Sequence, residues 1–433
     1  MNDTHDPRRR SWVASANQGG AFPIQNLPFG VFVATGRPTI GVAIGDQILG
    51  LRGCYQSGLL ASLPQAAGEA CAATTLNALM ALGAGVWSPL RAWLSNLLHD
   101  PAHQHEVTPH LVPMVEATML KPAVIGNYTD FYASIDHATR VGRLFRPERP
   151  LLPNYKFMPI GYHGRASSIV VSGTAVKRPR GQFLVAPSEQ PQFAASQALD
   201  YELEVGFFAG NGNNQGEPIA IDRAGSHLFG VCLLNDWSAR DIQAWEYQPL
   251  GPFLAKSFAT TISPWIVTME ALAPFRMPAF ARPPEDPAPL GYLEDEQDRM
   301  EGGLDLTLEV FLRSARMREQ GAAPLRVSRG NLGGLYWTPA QLLTHHTSNG
   351  CNVEPGDLLA SGTVSGPDDG SRGCLLEMTQ RGQEPILLPS GEKRTFLEDG
   401  DEVIFRGHCG REGWVSIGLG DCVGAVAGVW SEL

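Results

Sequence analysis

The chain has 433 residues and a formal net charge of −11, with 43% hydrophobic and 18% charged residues. So acidic a balance lacks the basic face that nucleic acid or an anionic membrane demands, and neither is expected as a partner. An anionic substrate would have to be drawn by a local cluster of cations. Length points to two or three domains, and the 48 glycines and 33 prolines point to many turns and strands with few long helices. The seven cysteines, at 54, 71, 232, 351, 374, 409 and 422, form no CxxC pair. Structural zinc and a disulfide framework are therefore not expected, and a reducing cytoplasm is.

Arg8, Arg9 and Arg10 are followed by no continuous apolar region, so no secretory signal is expected. Residues 22–52 alternate β-prone runs with turns (30–33, 39–44, 47–50), which predicts small antiparallel hairpins. The uncharged stretch 70–90 includes Thr74, Thr75, Asn77, Gly83 and Gly85 and reads as helices in a soluble domain, not as a membrane span. Ser88 and Pro89 stand at N-cap and first-turn positions ahead of Leu90, Trp93, Leu94, Leu97 and Leu98, predicting an amphipathic helix. Residues 99–112 read as a polar linker, and 121–128 as a strand opening a larger domain. Apolar runs at 168–171, 201–208, 228–234, 304–312, 357–360 and 413–418 make that domain mostly strand, so the expected class is mainly β, α+β. The Pro-rich, acidic stretch 273–302 reads as an extended surface excursion.

Strand alternation places Glu202 and Glu204 on one face and Tyr201, Leu203, Val205 and Phe207 on the other, with the two carboxylates about 7 Å apart. Like charges beside a buried sheet are costly unless a cation lies between them, although a lone ExE is more simply a solvated face. Asp236 ends the apolar run 228–234, where a side chain is presented to ligands. Ser238 and Asp241 follow at capping-box spacing. Arg240, Gln243 and Tyr247 then share a helix face, toward Asp236 or toward solvent with equal ease. Asp130, between aromatics, is a ligand candidate or a helix cap. Four carboxylates without Cys or His at ligand spacing select Ca²⁺, Mg²⁺ or Mn²⁺ over zinc.

Lys256 lies in an apolar run, where it either meets such carboxylates and steadies an oxyanion or snorkels to solvent. His137 is a candidate base, and Glu377, an odd charge in what reads as an apolar strand, a candidate partner. Spacing does not pair them. The adjacent His345 and His346 point apart and read as structural. The Gly-rich turn 361–367 offers amides and the Thr363 hydroxyl to a carboxylate.

Several motifs, in order, resemble one known family. They are Phe22-Pro23-Ile24-Gln25-Asn26-Leu27-Pro28, Ile125-Gly126-Asn127-Tyr128-Thr129-Asp130-Phe131-Tyr132, and Gly161-Tyr162-His163-Gly164-Arg165-Ala166-Ser167-Ser168. The Glu202/Glu204 strand, Asn235-Asp236-Trp237-Ser238-Ala239-Arg240-Asp241-Ile242-Gln243, Pro249-Leu250-Gly251-Pro252-Phe253-Leu254 and Asp357-Leu358-Leu359-Ala360-Ser361-Gly362-Thr363 complete the set. The chain is similar, over most of its length, to the fumarylacetoacetate hydrolase family. That resemblance implies a small SH3-like β-barrel domain (residues 1–118, with linker helices), a large mixed β-roll catalytic domain (119–433) and a homodimer.

The resemblance also implies a Mg²⁺ or Ca²⁺ ion held by Asp130, Glu202, Glu204 and Asp236, with Lys256 and Thr260 beside it. It implies His137 as general base, oriented by Glu377, with Lys256, Arg240 and Gln243 steadying the oxyanion. Tyr132, Arg146, Tyr162, Arg240, Gln243, Tyr247 and Thr363 match the family's substrate-binding positions. The implied reaction is hydrolysis of a carbon–carbon bond in a diketo acid, fumarylacetoacetate, as in tyrosine and phenylalanine breakdown. Asn127 stands where the family pattern leads one to expect Asp. A related acylpyruvate hydrolase, hydratase or decarboxylase is one alternative, and a non-catalytic, metal-dependent dicarboxylate-binding protein another.

Overall fold

The computed structural model describes residues 1–429. Near the N-terminus a five-stranded antiparallel sheet runs in the order Leu111–Pro113, Gln47–Gly50, Thr39–Ile44, Phe29–Val33, Thr118–Leu120. The hairpins expected over 22–52 form, because alternating Val and Ile residues bury one or both faces between Gly-bearing turns. Residues 99–112 are not a linker. They coil through short helical turns, and Leu111–Pro113 pairs with Gln47–Gly50, so this stretch closes the edge of the sheet. Pairing also overrides the strand expected at 121–128. Thr118–Leu120 belongs to the N-terminal sheet, and the next strand is Tyr128–Phe131.

The helix expected after Ser88 begins earlier, at Ala84, and runs to His99 with Pro89 inside it. Burial of Leu90, Leu94, Leu97 and Leu98 holds this helix against the proline's missing donor, so tertiary packing outweighs the capping signal.

The rest of the chain is built on two sheets. The larger runs Gly161–His163, Tyr128–Phe131, Leu358–Ala360, Leu203–Ala209, Leu228–Asp236, Thr260–Ile262, Ile169–Val171, with Val267–Thr268 as an extra partner of Leu228–Asp236. The second runs Leu325–Asn331, Thr307–Arg313, Glu402–Cys409, Ile417–Ala427, Val176–Lys177. Val205, Phe207, Val231 and Leu233 of the first sheet share one core with Leu308, Val310, Phe405 and Leu419 of the second. Mixed parallel and antiparallel pairing, interspersed with short helices, makes the molecule α+β with a preponderance of strand, as expected. Residues 273–302 are pinned rather than loose: Tyr336 donates to Asp286 at 3.0 Å, and the Arg282 guanidinium lies 4.2 Å from the Tyr336 ring centre. No helix among the described residues is long and apolar enough to cross a membrane.

Candidate active site

Three strands of the larger sheet deliver the four acidic side chains. Asp130 sits opposite both Ala360 and Tyr162, Glu204 opposite Leu234, and Asp236 opposite Thr260, while Glu202 stands one residue ahead of its strand. Each contributes an oxygen to a cluster whose atoms all lie within 4.8 Å of one another, and all four residues are buried. Lys256 Nζ donates to Asp236 Oδ2 at 2.7 Å and also to Glu202 Oε2. Thr260 donates to Asp236 Oδ1 at 2.9 Å and the Tyr162 hydroxyl to Asp236 Oδ2 at 2.8 Å.

The charges do not cancel evenly. Burial pushes the Glu202 carboxyl up, but Lys256 and Arg240 outweigh burial and hold it well below the usual carboxylate range. Asp130 and Glu204 go the other way: burial, then the neighbouring carboxylates, raise them well above that range. Both oxygens of Glu204 and Oδ1 of Asp130 are buried without a hydrogen-bond partner among the described residues. Unpaired buried oxygens converging from several strands fit a hard divalent cation, which prefers oxygen donors and would supply the missing positive charge. On donor chemistry, then, the residues present fit the expected metal.

A second constellation faces this one. Ser134 caps the helix Ile135–Phe145 by accepting the His137 amide at 3.2 Å, which sets the His137 ring just inside the first turn. Its Nδ1 lies 2.6 Å from Glu377 Oε1, and Ser365 donates to the same oxygen at 2.7 Å. Burial pushes the Glu377 carboxyl up, but the facing His137 ring and the Ser365 hydroxyl outweigh it and hold the group at about 2. An ionised Glu377 accepts a hydrogen bond from Nδ1–H, leaving Nε2 as the ring's open acceptor. Glu377 lies on a short helix, Leu375–Met378, and not on the expected strand. The capping box expected at Ser238 and Asp241 is also absent. The helix Arg240–Glu246 has no side-chain cap, Ser238 lies in a two-residue bridge, and Asp241 instead accepts Ser196 and the Gln197 amide.

A cavity of about 610 Å³ joins the two constellations. Asp130, Glu202, Glu204, Lys256 and His137 line it, together with every expected substrate contact: Tyr132, Arg146, Tyr162, Arg240, Gln243, Tyr247 and Thr363. Asp236, Thr260 and Glu377 do not line it and reach it only through the side chains they hold. Arg240 is buried, pairs with Glu202 Oε1 at 2.8 Å, and keeps Nη2 buried without a hydrogen-bond partner among the described residues. A donor held so can donate to a ligand oxygen with no rearrangement. Sequence reading missed Arg381, which lines the same cavity, and Asp200, Ser365 and Arg140, which brace Arg240 and Glu377. Of these only Asp200 left a signal, since it shares the i, i+2 alternation of Glu202 and Glu204.

Fold and site together define an α+β protein with an oxygen-rich cation centre and an acid-oriented histidine opening on one small-molecule cavity. Residues 127–427 match the family model described as fumarylacetoacetate (FAA) hydrolase C-terminal, and residues 25–122 the model for fumarylacetoacetase N-terminal. The chain therefore belongs to the fumarylacetoacetate hydrolase family, whose chemistry is metal-dependent. It is 49% identical over 416 residues to a fumarylacetoacetase of Bos taurus, covering 94% of this chain and 96% of that protein. To the fumarylacetoacetase of Homo sapiens it is 48% identical over the same shares of the two chains. In fold it is similar to a fumarylacetoacetate hydrolase from Exiguobacterium antarcticum, with a TM-score of 0.52 at 17% identity over 93% of this chain and 99% of that one.

Proposed function

We propose that this chain hydrolyses fumarylacetoacetate to fumarate and acetoacetate. The observation that carries the reading is that His137, held by Glu377, opens on the same cavity as Asp130, Glu202 and Glu204 of the acidic cluster, in a chain nearly half identical to fumarylacetoacetases along almost their whole length. Asp130, Glu202, Glu204 and Asp236 would hold Mg²⁺ or Ca²⁺, which when bound acts as a Lewis acid toward the substrate's keto oxygens. His137 Nε2 takes a proton from water, and Glu377 holds the ring's tautomer and steadies the imidazolium. The hydroxide adds to the fumaryl ketone carbon. Lys256, Arg240 and Gln243 then meet the negative charge that develops on its oxygen. As the carbonyl re-forms, the carbon–carbon bond breaks, its electron pair leaves with the acetoacetate carbon, and His137 returns the proton there.

Arg146, Arg240 and Lys256 supply the local positive charge by which an acidic protein attracts a dianion. Tyr132, Tyr162, Tyr247 and Thr363 shape the space around it. The exposed apolar side chains Trp245, Leu250, Phe253 and Leu254, near the cavity, support a homodimer, since apolar groups clustered at a surface favour a partner. Seven free cysteines, six of them buried, support a reducing cytoplasm.

The decisive experiment follows loss of diketo absorbance with fumarylacetoacetate and with simple acylpyruvates side by side. A higher kcat/KM for fumarylacetoacetate is expected. Preference for the acylpyruvates would assign the chain to a sister hydrolase instead.

A further inference from the structure

Asp200 precedes Glu202 by two residues and is neither a metal-ligand, substrate-contact nor proton-transfer residue in the reading above. Its fully buried carboxylate accepts four hydrogen bonds. Oδ2 takes Arg240 Nε at 2.9 Å and the Leu376 amide at 2.9 Å. Oδ1 takes the amides of Leu375 and Tyr201, each at 2.8 Å. The two donors on Oδ2 come from separate parts of the site. Arg240 opens the helix Arg240–Glu246 and keeps Nη2 for a ligand, whereas Leu375 and Leu376 begin the short helix that carries Glu377.

The reaction needs those two parts in register. His137, oriented by Glu377, aims the attacking water at a carbon whose oxygen Arg240 must meet, and small errors between nucleophile and oxyanion donor are costly. Glu377 and Arg240 do not touch each other in any described contact, and Asp200 touches the supports of both. Satisfying one buried arginine would not require Asp200 to accept two amides from a different element. We propose that Asp200 is a positioning residue that locks the oxyanion-side guanidinium to the helix bearing the base-orienting acid. This rests on the hydrolase reading of the site.

The test is a pair of double-mutant cycles on the full chain, D200N with R240A and D200N with E377Q, assayed with fumarylacetoacetate and Mg²⁺. Asn is isosteric, but it turns an amide NH2 toward a donor that Asp200 now satisfies. The expected result for D200N is a fall in kcat of about 100-fold with a much smaller change in KM. Mg²⁺ affinity by calorimetry should stay at the wild-type level, because the four carboxylates are untouched. In each cycle the combined loss should fall short of the product of the single losses by about tenfold or more. A kcat within about threefold of wild type, or losses that multiply in either cycle, would overturn the lock.

Should D200N fail to fold, the neutral pair D200N/R240Q compared with R240Q alone carries the test. Further loss in the pair reads the contact with Leu375 and Leu376, and equal activity overturns the proposal. Absence of wild-type turnover on every diketo acid is a different result, for it removes the hydrolase reading itself.

Discussion

Glu204 has two buried carboxylate oxygens and no hydrogen-bond partner for either among the described residues. Lys256 is already engaged by Glu202 and Asp236, and Arg240 by Glu202 and Asp200, so the fixed cations leave Glu204 and Asp130 uncompensated. A divalent ion should therefore stabilise the folded protein as well as activate it. We expect EDTA to stop hydrolysis and lower the melting temperature, and added Mg²⁺ or Ca²⁺ to restore both. The gain should reach about 2.7 kcal/mol when the free ion is at 100 times its dissociation constant. Full activity after exhaustive chelation would refute the metal reading.

His137 makes a separable prediction, because its Nδ1 is spent on Glu377. His137→Ala should reduce kcat about 10²- to 10⁴-fold and leave Mg²⁺ binding intact by calorimetry; lost affinity would make His137 a ligand. The acidic cluster was half legible in the sequence. Alternation reveals Glu202 and Glu204, but His137 and Glu377 lie 240 residues apart, and only the packing of their two helices brings them together. The family resemblance named that pair where spacing left it open.

At the scale of elements, the strand Leu203–Ala209 shows how one sequence pattern serves two ends. Glu202, Glu204, Gly206 and Phe208 alternate on one face; the first two meet the acidic cluster, and Phe208 enters the core it shares with the N-terminal sheet. Gly206 lies between them where a Cβ would come within 2.9 Å of Leu358 and 3.1 Å of Cys232. Gly362 is tighter still. It has φ +75°, and a Cβ there would sit 2.2 Å from the Phe131 carbonyl oxygen. Gly362→Ala should therefore cost about 1–3 kcal/mol in backbone strain and shift the Asp130 strand, lowering Mg²⁺ affinity together with the melting temperature. Unchanged affinity in a folded G362A protein would show that the close approach does not position Asp130.

Strands with strict periodicity, such as Thr39–Ile44, were readable in advance because their own residues decide them. The elements misread were those decided by distant partners. Leu111–Pro113 is a strand only because Gln47–Gly50 offers its edge, and Leu375–Met378 is a helix whose first amides are received by Asp200, far away in sequence.

Across the whole molecule, the N-terminal part has no core to itself. Leu90, Leu94, Leu97 and Leu98 of the N-terminal helix pack in one cluster with Phe208, Phe229, Leu234, Ile262 and Leu358 from the strands that carry or flank the acidic residues. The backbone joins them too: Phe29 and Ile266 exchange hydrogen bonds in both directions, at 2.9 and 2.7 Å. Removing the N-terminal part would expose the apolar stretch of the same sheet face that, further along, holds the carboxylates. Stability and metal binding should therefore be linked through Phe208, on the strand common to both. Phe208→Ala leaves a cavity at that junction, which should cost about 3–5 kcal/mol. It should lower the melting temperature of the N-terminal and catalytic parts together, as a single calorimetric transition with matching van't Hoff and calorimetric enthalpies. Two resolved transitions in F208A, with only the earlier one shifted, would show that the parts fold independently and that the shared cluster is a contact rather than a common core.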